Sequence, residues 1–300
     1  MKSFKKILDE ANKNSKGRVL SEEEIIRLRK VFLNTYVDVS NACKKHGLDI
    51  ILCGGSALGA VRHGGFIPWD DDFDTAMSRE HFEVFKKVFE EELGDKYCLC
   101  SPNYGKTAKE RFPQILVKNT RFVELGEDPE KWTNKIKIDL FIIENCPGNK
   151  LIRTIHGCIC SFLMLVASSV LLYHDRNGQI KTTLCSTNAG KAFYYRRTAI
   201  GWLFSFYSKY KWLNLVDNAC NYRRKSEYKS IPTGRRHYFG EIRPAGTFFP
   251  PVGAMFENVE VLLPADCDDY LKNLYGDYMV IPKDSEREKH YILDLDFGPY

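Results

Sequence analysis

Three aspartates stand in segments that otherwise have the composition of buried β-strands. Asp72 and Asp74 lie in the run DFDTAM, and Asp139 is at the centre of KIKIDLFII (135–143), the strongest strand pattern in the chain. A strand places alternate residues on one face, so Asp72 and Asp74 are predicted to share a face. A lone carboxylate in an apolar strand costs several kcal/mol unless another group compensates it. The chain must therefore fold so that a compensating group meets these aspartates.

Two glycines precede the acidic run. Gly54-Gly55-Ser56 follows a short predicted strand at 48–53, and Ser56 starts a short predicted helix that runs through Arg62. Glycine lets backbone N–H groups approach a phosphate, and a helix N-terminus favours an anion. A GGS run alone is more often a simple turn. Combined with acids on adjacent strands, it is typical of a phosphoryl-transfer site operated by metal ions.

The ion that best suits these acids is Mg²⁺, with Mn²⁺ as the alternative, because Mg²⁺ takes hard oxygen ligands and bridges to phosphates. An acidic run such as DDDFD is otherwise usually a solvated loop or a Ca²⁺-like cluster, and Asp139 by itself could be a strand-end cap. Trp69 and Phe73 are expected to anchor the motif in a core. The combination favours a metal site over these separate readings.

The remaining patterns predict alternating helices and strands. Ser21 and Glu24 form a capping box at the start of a helix that Gly47 ends, and Ser78 begins a second helix that ends at Gly94. Further elements are predicted as strands at 97–100 and 114–118 and a helix around 266–275.

Composition excludes several classes of protein. The 300 residues are 44% hydrophobic, which excludes a disordered or collagen-like chain. Ten cysteines without a CxxC pair are too dilute for a disulfide framework and favour a reducing compartment. The N-terminal segment MKSFKKILDEANKNSKGR has no apolar stretch of a secretory signal, so we expect a cytoplasmic chain.

The net charge of +5 is unevenly distributed. Residues 176–236 contain thirteen Lys/Arg against Asp217 and Glu227, an excess of eleven positive charges, so the remainder is net −6. A local excess of this kind indicates an anionic surface as partner of one part of the molecule. The basic residues stand among aromatics at 193–212, away from the acidic motif, which argues against a nucleic-acid polymerase. No nucleic acid is expected as a partner.

The middle segment is also unusually apolar. Residues 155–173 contain no Lys, Arg, Asp or Glu, which is close to the length that spans a bilayer. A single crossing would separate the acidic motif from the C-terminal part of the same domain. A second crossing at 193–212 would bury Arg196, Arg197, Lys209 and Lys211 in lipid. We therefore expect two helices over 150–216 that lie on an anionic membrane surface, peripheral to the inner face. The alternative is that 155–173 is a core helix.

The stretch GGSALGAVRHGGFIPWDDDFDTAM closely resembles the signature of the LicD family, which includes fukutin and fukutin-related protein. The stretch ENVEVLLPADCDDYLKNLYGDYMVIP resembles the C-terminal signature of that family. The resemblance covers roughly residues 20–145 and 235–290.

This resemblance implies an α+β fold, with a nucleotidyltransferase-like mixed sheet flanked by helices, a helical insertion and a small C-terminal subregion. The corresponding division is a catalytic core at 20–149, a basic aromatic helical insertion at 150–234, and the rest of the catalytic domain at 235–300. Members of the family move a phospho-substituted alcohol, such as phosphocholine or ribitol phosphate, from a CDP-activated donor to a glycan. The implied partners are a CDP-activated small alcohol and a glycan or lipid-linked sugar acceptor.

Carried onto this chain, the resemblance makes Asp72 and Asp74 the metal-binding pair, Asp70 the preceding acid and Asp139 the third acid. Gly54, Gly55 and Ser56 are predicted to cradle the donor diphosphate. Arg62 is a candidate to neutralise the diphosphate, although a surface arginine is an equal reading. Asp139 either completes the metal site or takes the proton of the acceptor hydroxyl.

Residues near the C-terminus offer further candidates. His290 is an alternative base, although a lone histidine there is more often a surface residue. Asp277 and Tyr275 are candidates to position substrate, although YGDY also fits a structural turn.

Two other functions stay open. One is a nucleotidyltransferase that makes the CDP-activated donor or adds a nucleotide to an acceptor. The other is a non-catalytic membrane-associated adaptor, which the retained acids argue against. The product formed from labelled CDP-choline separates the two enzymatic readings.

Overall fold

The structure, a computed structural model, describes residues 17–105, 108–125, 127–176, 178–284, 287 and 291–300. The helices are α1 (Glu22–Lys45), α2 (Gly54–His63), α3 (Arg79–Leu93), α4 (Lys150–His174), α5 (Gly178–Leu184), α6 (Asn188–Leu203), α7 (Lys209–Cys220), α8 (His237–Gly240) and α9 (Cys267–Tyr275). The strands are β1 (Ile51–Leu52), β2 (Asp74–Ser78), β3 (Tyr97–Cys100), β4 (Gln114–Val117), β5 (Arg121–Glu124), β6 (Lys137–Cys146), β7 (Tyr228–Ser230), β8 (Arg243–Pro244), β9 (Val252–Phe256), β10 (Val259–Leu263) and β11 (Ile292–Asp296).

The central sheet is mixed and has the strand order β3-β4-β6-β2-β1-β10-β9. The β2/β6 and β1/β10 pairs are parallel, and the other pairs along this path are antiparallel. The short strands β7 and β8 extend from the end of β6, and β5 pairs with β11 in a separate ribbon. The C-terminal strands β9 and β10 thus complete the sheet that the N-terminal half begins. The predicted α+β class with a mixed sheet is confirmed.

The flanking helices form where the sequence predicts them, because their ends are capped. The Ser21 side chain accepts from the Glu24 N–H while Glu24 accepts from the Ser21 N–H, which is the expected capping box. Ser78 caps α3 by accepting from the His81 N–H, and Gly94 follows its last residue. Both helices bury an apolar stripe against the sheet.

An aromatic cluster fixes the segment that carries the acids. Phe73 is buried and its ring lies 5.5–6.2 Å from the rings of Phe32, Tyr36, Phe66 and Phe256. These residues come from α1, from the loop after α2 and from β9. Phe73 therefore holds its two neighbours, Asp72 and Asp74, at a defined place, as predicted. Trp69 is half-buried and also packs against this core, as predicted.

The segment between β6 and β7 contains helices α4 to α7, where two helices were expected. The helices α6 and α7 each pack on α4, and Cys160, Met164 and Val170 of α4 form a buried cluster with Leu213 of α7, so part of α4 belongs to a buried core. Ile155 and Phe162, on its other side, are half exposed to solvent. Among the described residues α4 is the one helix that is long and apolar enough to cross a membrane. The core-helix alternative thus holds for one face of α4 only.

A buried ion triad joins this helical region to the sheet. The Arg79 guanidinium, at the start of α3, binds the carboxylate of Glu144 on β6 and, at 2.6 Å, Asp217 on α7. All three side chains are almost fully buried, and Asn103 also donates to Asp217 at 2.7 Å. Removing one member of such a set is expensive because it leaves the others uncompensated in the interior.

We predict that Arg79→Met lowers the free energy of unfolding by about 3–5 kcal/mol, since Glu144 and Asp217 lose their counter-charge. The measurement is chemical denaturation followed by circular dichroism. The matched control is Arg18→Met, which breaks a solvent-exposed pair with Glu24 and should cost less than about 1 kcal/mol. Equal losses in the two variants would contradict the role assigned to the triad.

Candidate active site

Three polar side chains stand in one row across neighbouring strands. Asp74 is the register partner of Asp139 in the parallel β2/β6 pair, and Asp139 is the register partner of Gln114 in the antiparallel β6/β4 pair. The Gln114 amide Nε2 donates to Asp139 Oδ1 at 2.8 Å. The prediction that these acids meet on adjacent strands is confirmed by this register.

Asp72 lies outside β2, which begins only at Asp74, so the prediction that both belong to one strand is wrong in detail. The Phe73 carbonyl between them nevertheless accepts from the Asp139 N–H at 3.0 Å, so the backbone already runs alongside β6 there. The negative charges of Asp72 and Asp139 both act on Asp74. Asp72 and Asp74 are therefore close enough to interact, although Asp72 lies just before the start of β2.

The glycine pair makes room for these carboxylates. A Cβ on Gly54, whose φ is +50°, would lie 2.4 Å from Asp74 Oδ2, and a Cβ on Gly55 would lie 2.8 Å from Asp70 Oδ2. Real Cβ atoms do not approach an oxygen so closely, so glycine is required at Gly54 for both space and backbone conformation. The glycines and acids thus form one unit in the fold.

The helix α2 begins at Gly54 and not at Ser56, so both glycines belong to its first turn. The Gly55 N–H donates to Asp74 Oδ2 at 3.0 Å, and the Gly54 N–H donates to the Tyr270 hydroxyl at 3.1 Å. Ser56 is buried, and its hydroxyl accepts from the Asp74 N–H at 2.8 Å. The contacts seen here hold Asp74 against the positive end of α2. Binding of the donor diphosphate by this turn stays a prediction.

Burial and mutual repulsion set the charge of the carboxylates. Burial, followed by the charge of Asp72, raises the pKa of Asp70 and of Asp74 well above the ordinary value. Burial also raises the pKa of Asp139 to about 7, partly opposed by the Lys137 charge and the hydrogen bond from Gln114. Carboxylates that repel one another in a buried site favour a bound cation or proton.

The acids have the chemistry of a divalent-cation site. Asp70, Asp72 and Asp74 supply hard oxygen donors within range of one another's charge, which suits Mg²⁺. No three Asp, Glu, His or Cys side chains in the described part of the chain form a ready-made coordination cluster. The donor set therefore fits the ion by its chemistry, and a cation would need small side-chain movements to be held.

A cavity of about 270 Å³ opens on one side of the acids, and arginines line it. Arg62 donates to the Tyr278 carbonyl at 2.7 Å, while Arg287 lies 4.1 Å from the ring centre of Trp69. Arg235 lies 5.1 Å from the ring centre of Tyr275, and its charge acts on Asp74. We call this space the arginine cavity. Its cations can neutralise a polyphosphate beside the carboxylates.

A second cavity of about 230 Å³ also has Asp72 in its lining, so Asp72 borders both cavities. Its wall includes Asp139, Gln114 and Phe112, whose ring stacks on Phe141 with 4.6 Å between ring centres. The buried Gln114 Oε1 has no hydrogen-bond partner among the described residues. An orphaned buried acceptor is costly unless a ligand donates to it. We call this space the glutamine cavity.

Two predicted residues are not part of the cluster of acids. Asp277 is exposed at the rim of the arginine cavity. His290, the alternative base, lies outside the described residues. Sequence reasoning missed Arg235, Arg287 and Gln114 as site residues. Arg235 stands within the basic segment that had been attributed to an anionic surface, and the i, i+2 pattern of β4 alone does not single out Gln114.

We predict that Gly54→Ala displaces Asp74 and lowers stability. The alanine Cβ would clash with the Asp74 carboxylate, and the positive φ of this position would strain the alanine backbone. Gly47→Ala is the matched control, since Gly47 has a φ of +65° with open space around it. The melting temperature should fall more in Gly54→Ala than in Gly47→Ala. Equal changes would show that only backbone strain is involved.

Known proteins share sequence similarity with the part of the chain that forms this site. Residues 47–151 match the family model described as LicD/FKTN/FKRP, nucleotidyltransferase domain, and this span includes Gly54, Asp70, Asp72, Asp74 and Asp139. The chain is also 22% identical over 260 residues to the lipopolysaccharide cholinephosphotransferase LicD of Haemophilus influenzae, covering 83% of this chain and 89% of that protein. The resemblance drawn from the glycine and aspartate motif is confirmed. Residues 47–151 are thus similar to the nucleotidyltransferase domain described by the LicD/FKTN/FKRP family model.

Proposed function

We propose that this protein is a LicD-type transferase that moves a phospho-substituted alcohol, phosphocholine or a close analogue, from a CDP-activated donor to a hydroxyl of a surface glycan. The Haemophilus influenzae relative is named a lipopolysaccharide cholinephosphotransferase, which supports phosphocholine and lipopolysaccharide as the first donor group and acceptor to test. A glycan still attached to a lipid carrier is an acceptor of the same chemistry.

The observation that carries the proposal is the position of Asp72 between two cavities of different character. In an in-line transfer, the attacking hydroxyl oxygen of the acceptor and the leaving oxygen of the donor lie on opposite sides of the phosphorus atom. The arginine cavity suits the anionic diphosphate of the donor. The glutamine cavity suits a neutral sugar, with an orphaned acceptor for a hydroxyl group and the Phe112 ring as an apolar wall.

In this arrangement the donor diphosphate lies near Arg62, Arg235 and Arg287. Guanidinium groups bind phosphate oxygens with paired hydrogen bonds and offset their charge. Arg62 and Arg287 are held by contacts with Trp69 at 5.9 and 4.1 Å from its ring centre. Their positions are thus set before a donor binds, which lowers the cost of ordering them.

The acceptor hydroxyl then lies beside Asp139, which takes its proton. The oxygen forms a bond to the phosphorus that carries the alcohol, and the bond from that phosphorus to the bridging oxygen breaks. The electron pair of the broken bond leaves with CMP. Without a cation, burial raises the pKa of Asp139 to about 7, so its carboxylate is a stronger base than an ordinary aspartate.

A divalent cation, Mg²⁺ or Mn²⁺, held by Asp72 and Asp74 with Asp70, would supply charge neutralisation to the diphosphate and the leaving group. The role of the chain is to bring these carboxylates together. Phe73 fixes their spacing, while Gly54 and Gly55 let Asp74 and Asp70 approach the first turn of α2. The buried repulsion among the acids is relieved when a cation binds.

The proposal is tested by incubating the protein with Mg²⁺ and CDP-choline, CDP-ribitol, CDP-glycerol or CDP-ethanolamine, with lipopolysaccharide as acceptor. CMP release is measured for each. With CDP-choline labelled in the choline half or the cytidine half, we expect only the choline label on the acceptor. Cytidine label on the acceptor would favour the nucleotidyltransferase reading, and no turnover of any donor would favour the adaptor.

We predict that Asp72→Asn and Asp74→Asn each reduce turnover by several orders of magnitude, because each removes a charged ligand from a phosphoryl-transfer site. Circular dichroism should show that the fold survives. Asp95→Asn, at an exposed position, is the control and should keep full activity. Activity within tenfold of wild type in either site variant contradicts the assignment. EDTA should reproduce the loss, and Mg²⁺ or Mn²⁺ should reverse it.

We predict that Asp139→Asn changes how stability depends on pH. The pKa of Asp139 is raised from 3.8 to about 7, so the folded state holds this proton more tightly than the unfolded chain. That stabilisation is complete below pH 3.8, declines as pH rises and is lost above about pH 7.

Asparagine does not titrate, so Asp139→Asn should gain stability relative to wild type between pH 4 and 8, by about 2–4 kcal/mol in EDTA. Urea denaturation at a series of pH values measures this gain. A difference that does not change with pH would show that Asp139 titrates normally.

A further inference from the structure

We propose that helices α4 and α6 form a docking face for an anionic lipid bilayer, on which the protein lies without crossing it. This inference does not depend on the reaction proposed above. It revises the expectation from sequence, because the structure shows which side chains of this region are free to meet lipid and which are already used inside the protein.

The outer side of α4 carries a continuous apolar stripe. Its members recur at helical spacing, and each is about 50–70% exposed: Leu151, Ile152, Ile155, Ile159 and Phe162. The opposite side of the same helix packs in the protein core through Cys160 and Met164. The stripe is therefore not the lining of a core, and its helix is rigidly held.

The end of α6 and the loop after it extend this stripe. Phe204 lies 6.0 Å from both Phe162 and Phe206, measured between ring centres. Beside them, Trp202, Leu203 and Phe206 are 61–66% exposed. Contiguous apolar surface of this kind marks an interaction site, and aromatic side chains favour the interface between water and lipid. We call these residues, with the α4 stripe, the apolar face.

Charge identifies the occupant of the apolar face as an anionic surface. Residues 150–226 contain two acids, and both are paired inside the protein: Asp175 with Lys131 and Lys209 at 2.9 Å, and Asp217 with Arg79. No acid of this stretch is left to offset its exposed basic side chains, which include Lys150, Arg176, Lys181, Lys191, Arg196, Lys211 and Arg223–Lys225. A second copy of the chain would bring the same positive charge and be repelled.

The basic residues that meet lipid differ from those expected. Arg197 donates to the Leu165 carbonyl and to the Ser168 and Ser169 hydroxyls, so it joins α6 to α4. Lys209 binds Asp175. Of the four basic residues expected at the surface, Arg196 and Lys211 are exposed, and Lys191 on α6 is exposed beside them.

The connections of α4 exclude a single crossing. Strand β6 ends at Cys146, just before α4, and β7, after α7, pairs with residues Glu144–Cys146 of that same strand. A segment whose two ends belong to the same sheet cannot start on one side of a bilayer and end on the other. An interfacial position leaves the core contacts of α4 intact and covers the apolar face.

The test is flotation of the full chain with vesicles of phosphatidylcholine alone or mixed equally with phosphatidylglycerol, at low and high salt. We expect binding to the mixed vesicles that high salt weakens. Ile155→Glu with Phe162→Glu should abolish it, whereas Ile26→Glu, at an equally exposed apolar position on α1, should not. Circular dichroism shows whether each variant is folded.

Charge is tested separately. Lys191→Glu with Arg196→Glu should weaken binding by at least about fivefold per residue, whereas Lys30→Glu on α1 should have little effect. Wild-type protein that stays unbound with mixed vesicles at low salt overturns the proposal. So does an equal loss in the face variants and their controls, or a stable dimer whose formation the Ile155→Glu and Phe162→Glu changes abolish.

Discussion

The cost of placing several carboxylates together in a low-dielectric site governs this structure. Asp74 and Asp139 are register partners on parallel strands, and Asp72 adds its charge beside them. Such a cluster is tolerated because the first turn of α2 donates to Asp74 and Gln114 donates to Asp139. The aromatic packing of Phe73 and the absence of side chains at Gly54 and Gly55 are what allow so close an approach.

The helical region is attached to this core by a second set of charges. Arg79 joins Glu144 on β6 and Asp217 on α7, and Lys131, in the loop that leads to β6, binds Asp175 at the end of α4. Because both acids of the helical region are used in these attachments, its remaining charge is positive and exposed. The same ion pairs that fix the helices to the sheet thus leave a basic, apolar surface turned outward.

The local parts of this arrangement could be predicted from the sequence. The capping box at Ser21, the strand around Asp139 and the association of glycines with acids depend on neighbouring residues and on simple periodicity. Contacts across the chain could not be predicted in this way. Arg235 and Arg287 reach the site through the folding of distant segments, and Arg197 is distinguished from Arg196 only by its contact with α4. The glycine turn was expected to face a phosphate, whereas its N–H groups are hydrogen-bonded to Asp74 and Tyr270.

The proposed transfer requires that donor and acceptor occupy opposite sides of Asp72. A crystal structure of the protein with CDP-choline and Mg²⁺ tests this directly. We expect the diphosphate to lie among Arg62, Arg235 and Arg287 and a cation to lie between Asp72 and Asp74. The glutamine cavity beside Asp139 should be empty. A nucleotide bound in the glutamine cavity, or a cation held without Asp72 and Asp74, would contradict it.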